Sequence, residues 1–292
     1  MEVHAIIAEL DKPHGLPREA LVTASSQREE LAPIFIEAIE NYIAAAPHER
    51  THPDALFFMF HLLGEWRETS AYPTLARLLR LPAPEMDRIL DDAVTATSHR
   101  VIISVFDGDP EPLYDIILDP DASEFVRCRM CEALAILVRR GQLERASVAV
   151  FLHACFASLE PQGPCLVWHG WQNAIAMLGL KKLAPLVKKA FRQEYIDPEL
   201  CDYAVFERNL RLSRAMPGEN DWLDETDHQP FGSTSEEFSK WRGFTEAYRQ
   251  DLERARQAAN DRWLSRGQDS SQPHKADDSR RWAAAKRTRS AA

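Results

Sequence analysis

Apolar residues along most of this chain recur with the 3.6-residue period of a helix rather than the two-residue period of a strand. Leu75, Leu78 and Leu79 share one helical face, and the same triplet returns at Leu113, Ile116, Ile117, at Val148, Phe151, Leu152 and at Leu183, Leu186, Val187. The first positions of these triplets are separated by 38, 35 and 35 residues. A second series lies between them: Ile102, Val105, Phe106, then Leu134, Leu137, Val138, then Trp171, Ala174, Ile175, then Leu200, Tyr203, Ala204. Two short helices per period of about 35 to 40 residues predict an all-α fold, an α-solenoid of helical pairs in which each pair completes its core only against its neighbours.

The turn residues agree with that pattern. Pro73, Pro84, Pro110, Pro112 and Pro198 fall at or near the starts of the proposed helices, where the missing N–H is harmless. Gly108, Gly141 and Gly179 fall where helices should stop. Upstream, 17–26 and 29–46 read as a helical pair, and 54–67 is apolar on so many sides that it needs cover on more than one. The periodicity ends near 213, and Pro217-Gly218 breaks the chain. Beyond it an acidic, extended segment carries Trp222, Pro230, Phe231 and Gly232; a helix is then expected from Ser235 to about Arg266, with Phe238, Trp241, Phe244, Tyr248, Leu252 and Ala255 in one stripe. Four segments follow: an N-terminal helical pair and loop (1–53), a repeat domain (54–213), an acidic linker with a long amphipathic helix (214–266), and a basic tail expected to be disordered (267–292).

Within the repeat domain, Leu113-Tyr-Asp-Ile-Ile-Leu-Asp-Pro-Asp-Ala-Ser-Glu-Phe-Val-Arg127, running into Glu132-Ala-Leu-Ala-Ile-Leu137, resembles a HEAT repeat. The stretches Gly64-Glu-Trp-Arg-Glu-Thr-Ser-Ala-Tyr-Pro-Thr-Leu75 and Ser104-Val-Phe-Asp-Gly-Asp-Pro-Glu-Pro-Leu-Tyr114 are similar to the bacterial HEAT-like family known as domain of unknown function 1186. The similarity covers roughly 50–212. It implies a helical-repeat architecture and no established activity. Relatives in that family often end in a cysteine- and histidine-rich zinc motif, which this chain lacks: no cysteine follows Cys201.

Charge sharpens the picture. Of 292 residues, 45 are Asp or Glu and 35 Lys or Arg, and the whole excess of ten negative charges falls on 1–213. That disfavours nucleic acid as a partner, since a phosphate backbone needs a basic surface. The first twenty residues have no basic start followed by an apolar run, and no stretch is long and apolar enough to span a bilayer, so a cytoplasmic protein with reduced thiols and no membrane partner is expected.

Candidate chemistry is sparse. His48-Glu49-Arg50-Thr51-His52 fits H-E-x-x-H literally, but Pro53 pushes His52 out of the helical region, and a polar loop is expected. Cys128 and Cys131 have C-x-x-C spacing, and with Cys165 and His169 they form a weak candidate set for a metal; buried cysteines packing as small hydrophobes are the alternative. Trp168 lies one turn before Trp171 and either anchors a partner at the surface or packs against the next repeat. The densest acidic string runs through Asp107, Asp109, Glu111, Asp115, Asp119, Asp121 and Glu124. On stacked pairs these carboxylates line one edge, either a solvated rim or a ridge for a basic partner or a divalent cation.

No catalytic constellation stands out and no cofactor is expected. The sequence favours a non-catalytic interaction scaffold with a protein partner, acidic along Asp107–Glu124 and with Trp168 as a possible anchor. The alternative is a HEAT-like enzyme or metal-binding protein, a lyase or metal-dependent hydrolase, with a pocket near His153, Cys165 and His169. The basic C-terminus could itself meet the acidic body.

Overall fold

The computed structural model describes residues 2–12, 15–51, 53–215 and 226–245, together with 247–248, 250–251, 253–255 and 257–258. The chain divides into two compact units, Met1–Lys240 and Trp241–Ala292. Among the described residues every regular element is a helix, and the single bridge, between Pro82 and Ala122, belongs to no strand.

In the first unit α1 (Val3–Leu10), α2 (Arg18–Ser26) and α3 (Arg28–Ala44) precede α4 (Pro53–Glu65), α5 (Tyr72–Leu79), α6 (Ala83–Ile89), α7 (Ala93–Ala96) and α8 (Ser98–Val105). Then come α9 (Glu111–Leu118), α10 (Glu124–Arg139), α11 (Arg145–Ser158), α12 (Leu166–Met177), α13 (Ala184–Arg192), α14 (Tyr203–Ala215) and, after the residues not described, α15 (Thr234–Phe238). They stack in two rows. The main row runs α4, α8, α10, α12, α14, each helix packed on the one before; the second row runs α3, α5, α9, α11. The apolar triplets occupy the space between: Leu75, Leu78, Leu79, Leu113, Ile116, Ile117, Leu134, Leu137, Trp171 and Ile175 are all fully buried.

Polar ties between successive helices, most of them within a row, repeat at about the same interval as the triplets. Arg77 reaches back 37 residues to Glu40, Arg80 forward 35 to Asp115 and 39 to Asp119, Asn173 back 41 to Glu132, and Arg145 forward 33 to the Leu178 carbonyl. Side chains so far apart in sequence meet because each pair sets down the next in the same orientation. Two helix ends show how the pairs are separated. Gly141 and Gly179 have φ of 72° and 61°, and the following residue donates back to close the helix, Gln142 to the Leu137 carbonyl and Leu180 to the Ile175 carbonyl. Glycine takes that left-handed conformation without a Cβ penalty.

The structure departs from the sequence expectations in four places. An additional helix, α1, packs on α2 and α4 ahead of the predicted N-terminal pair. The last triplet of the second series fails: Leu200 is exposed in a turn, because the Asp202 carboxylate accepts from the Val205 N–H and starts α14 after it, so that Phe206 and Leu210 fill the core instead. The interval between α5 and α8 holds two short helices where the periodicity gave none. Lastly, the helix expected from 235 to 266 is interrupted: α15 ends at Phe238, a turn and a short 3-10 segment, Arg242–Phe244, follow, and the described residues between 247 and 258 are helical again. In the second unit Arg242 sits over the Tyr248 ring and Arg254 pairs with Asp251. The basic tail at 267–292 lies outside the described residues.

Candidate functional site

The main row carries its charge where helices are otherwise apolar. Helix α10 buries eleven residues, among them Arg127, whose Nε donates to the Ile117 carbonyl at 2.9 Å. Two positions on, Arg129 uses every arm: Nε donates to the Thr95 carbonyl at 2.6 Å, Nη1 to Glu132 at 2.5 Å, and Nη2 to Asp227 at 2.7 Å. The network continues on α12, since Asn173 donates to the second Glu132 oxygen at 3.0 Å and Gln172 donates to Asn173. Arg129 and Glu132 are thereby fully paired, as enclosed charges require, whereas Arg127 Nη2 has no hydrogen-bond partner among the described residues.

Asp227 belongs to a strap, residues 227–238, that lies along α10, α8 and α4. Its main chain is held as much as its side chains. His99 Nε2 contacts the Asp227 carbonyl at 2.5 Å, Arg140 donates to the His228 carbonyl at 3.2 Å, and Arg100 Nε donates to the Gln229 carbonyl at 3.2 Å. The Phe231 N–H donates to Ser104 Oγ at 2.7 Å and to the Arg100 carbonyl at 3.1 Å. The Thr234 N–H donates to Glu65 at 2.7 Å, and Arg100 Nη1 pairs with Glu237 at 3.1 Å. Between these polar contacts Phe231 and Phe238 are buried; Phe238 packs 4.7 Å from Phe57 and 4.6 Å from His61, and Arg100 lies over Phe231.

Three histidines border this face. Burial lowers the His61 pKa to about 3. Its Nδ1 faces the Phe57 carbonyl, which can only accept, so the neutral ring carries its proton there and Nε2 accepts from the Thr97 hydroxyl at 2.8 Å. Burial, with Arg129 nearby, likewise lowers His99 despite the opposing pull of Asp227. By the same logic its proton sits on Nε2, toward the Asp227 carbonyl, and Nδ1 has no partner among the described residues. His169 on α12 is lowered by burial too.

The acidic string runs from the turn before α9, along α9, to the turn after it and the start of α10, and part of its hydrogen bonding is local. Asp107, Asp109 and Asp119 accept from the backbone N–H two residues on. Asp115 and Asp119 also meet Arg80, while Asp121 is exposed. Glu124 is taken up by the next pair: it accepts from the Leu166 N–H at 2.8 Å, supplying the N-terminus of α12 with the anion its dipole favours.

Trp168 is not the surface anchor considered above. It is fully buried, its indole N–H donates to the Pro161 carbonyl at 3.1 Å, and it packs edge-on against Trp171 at 5.5 Å. The reason is Gly170: a Cβ there would stand 2.3 Å from the Cys128 carbonyl oxygen, so α12 lies directly on α10 and presses both tryptophans inward.

Cys128 and Cys131 are buried on α10, Cys155 is buried on α11, and Cys165 is half-buried. Burial raises all four thiols, Cys155 to about 12, which keeps them protonated at neutral pH. Among the described residues no three His, Cys, Asp or Glu side chains converge as a metal site, so Cys128, Cys131, Cys165 and His169 are not brought together as a ligand set. His153 is exposed. Around the H-E-x-x-H match, Pro47–Glu49 is a single 3-10 turn and His52 lies outside the described residues. Glu49, Arg50 and Thr51 instead border an apolar cleft of about 330 Å³ with Tyr42, Leu56 and Met59.

Arg100, Arg129, Arg140, His99 and Asp227 are the site residues that sequence reasoning missed. A usable signal was present: arginines set into otherwise apolar helices are seldom buried unless they are paired.

Similarity to other proteins reaches across this whole unit. Residues 1–245 match the family described as "Protein of unknown function (DUF1186)". A protein of Chlamydia trachomatis serovar D, named "Uncharacterized protein", is 24% identical over 245 residues, which is 82% of this chain and 96% of that one. One of Chlamydia muridarum with the same name is 25% identical over 246 residues, 82% of this chain and 97% of that one. No solved structure matches. The matched residues include the helical stack and the strap of this chain, and the chain belongs to the DUF1186 family.

Proposed function

We propose that the protein is a non-catalytic scaffold whose stacked helical pairs present extended surfaces to other proteins. One observation carries this reading above the rest: the main row holds residues 227–231, the end of a 3-10 turn and the irregular chain that follows it, through main-chain atoms. His99, Arg100 and Arg140 address carbonyls, and the Arg100 carbonyl with Ser104 receives an N–H. Groups aimed at backbone read the path of a peptide, and apolar pockets at intervals add selectivity. Here Phe231 and Phe238 fill those pockets.

The turn edge supplies a second surface. It consists of Asp107, Asp109, Asp115, Asp119, Asp121 and Glu124, on α9, in its two flanking turns and at the start of α10, and a basic partner suits it. We place the protein in the cytoplasm, where its five free cysteines stay reduced. Among the described residues no helix is long and apolar enough to cross a membrane.

The reading is tested by installing a photoreactive residue at Asp109, at Asp121, at Gln229 and, as a control on the exposed side of α11, at Val150, and crosslinking in the native host. A discrete protein adduct is expected from one surface and not from Val150. Absence of any discrete adduct at all four positions overturns the scaffold.

A further inference from the structure

The strap is bound as a ligand is bound. It follows α14 in the chain and lies across α10, α8 and α4, where Phe231 and Phe238 are buried. Its polar contacts divide into two kinds. Those to the carbonyls of Asp227, His228 and Gln229, at the end of a 3-10 turn, use main-chain atoms that any sequence carries; those to the Asp227 and Glu237 carboxylates do not. The seat presents three guanidinium groups, Arg100, Arg129 and Arg140, and a pocket of Phe57, Phe58 and His61. It therefore calls for an acid, then an aromatic residue four positions later, then a second aromatic and acid.

The seat also reaches past the strap. Beyond Glu132 the network runs through Asn173 and Gln172 to Cys201, and the Gln172 Oε1 and His169 Nδ1 atoms are buried without a hydrogen-bond partner among the described residues. The chain's own segment thus fills one stretch of a longer polar face.

We propose that the seat beneath residues 227–238 is an exchangeable recognition site for an acidic, phenylalanine-bearing peptide of another protein, filled in the resting chain by the protein's own segment. This inference rests on the scaffold reading and names its partner chemistry. Intramolecular occupancy acts as a competitor at an effective concentration in the millimolar range, so the site answers only to a ligand that matches both its arginines and its aromatic pocket.

The probe is a fluorescein-labelled peptide of residues 226–239, titrated into the full-length protein and into the full-length double variant Asp227→Lys/Phe231→Ser. The variant is expected to bind the peptide at least tenfold more tightly than the wild type, since its seat is vacated. A peptide carrying the same two changes is expected to bind at least tenfold more weakly than the native one. A variant that keeps wild-type helicity and melting yet binds no more tightly than wild type overturns the proposal. Because that variant could also misfold, hydrogen exchange of the wild-type chain provides a second measurement. The Phe231 and Thr234 amides are expected to exchange at least a hundredfold faster than those of Leu134 and Ile103; equal rates would mean that the strap opens only with global unfolding and is part of the core. A stable dimer in sedimentation, with straps exchanged between copies, would overturn the assignment to a different protein. Photo-adducts that persist while the peptide fails to bind would remove the exchangeable strap and leave the scaffold standing.

Discussion

Along the acidic edge made by α9 and its two flanking turns, from Asp107 to Glu124, carboxylates outnumber cations and part of their hydrogen bonding stays within two residues of itself. On the face of α8 and α10 the cations lead, and their partners in the strap lie 88 to 137 residues away. The edge is what the net charge of the sequence advertises; the face is what the fold encloses. Charges on an exposed turn interact through water and contribute little singly, whereas enclosed guanidinium groups must be paired and so fix whatever pairs with them. A count of charges thus points to the less constrained of the two surfaces.

The largest expected effect comes from disturbing the ground on which the face is built. Gly170→Ala drives a Cβ into the α10 backbone at Cys128, with no flexible side chain to yield, and should cost about 3 kcal/mol or more in urea denaturation. A loss under about 1 kcal/mol would mean that α10 and α12 are not pressed together as described. Next, Arg129→Met strips partners from Glu132, Asp227 and the Thr95 carbonyl at once and should cost about 2 to 3 kcal/mol.

Acidification tests the same region by another route. His61 titrates normally near 6.5 when unfolded and near 3 when buried, so the folded state holds it neutral. The stability it contributes is present above about 6.5 and is lost as pH falls from there toward 3, because only the unfolded chain takes up the proton. Between pH 7 and pH 5 that loss is about 2 kcal/mol for this histidine, with His99 adding in the same direction. Chemical denaturation at the two pH values measures it, and His61→Gln should flatten the dependence; an unchanged slope in that variant would assign the effect elsewhere. The smallest effect is expected at the edge. Arg80→Met loses ion pairs to Asp115 and Asp119 that are partly open to water, and the melting measurement should register less than about 1 kcal/mol. Were this variant to match Arg129→Met, the contrast between edge and face would collapse.

The periodic part of the fold was readable because local and global demands coincide there. A triplet such as Leu113, Ile116, Ile117 is apolar for its own helix and for the neighbour on which it stacks, and Gly141 and Gly179 stop their helices for reasons carried within a few residues. Reading failed where the deciding contact is distant or a turn overrides the period. Asp202 caps α14 and strands Leu200 outside it, while Phe238 ends its helix inside a pocket lined by Phe57 and His61 from the far side of the chain. Trp168 could equally have faced out; only the backbone contact at Gly170 turns it inward.

Taken alone, the amino-acid sequence determined that this protein is all-α, that its helices pair at intervals near 36 residues, and that its acid excess belongs to the body and not to the tail, because each of these follows from spacing and composition. Which charges are enclosed, which cysteines are shut away as protonated thiols, and that residues 227–238 lie across α10, α8 and α4 were decided by tertiary structure alone. The physical reason is the separation involved: a contact between Arg129 and Asp227 spans 98 residues and leaves no local pattern, since neither residue's neighbours need to change for the pair to form.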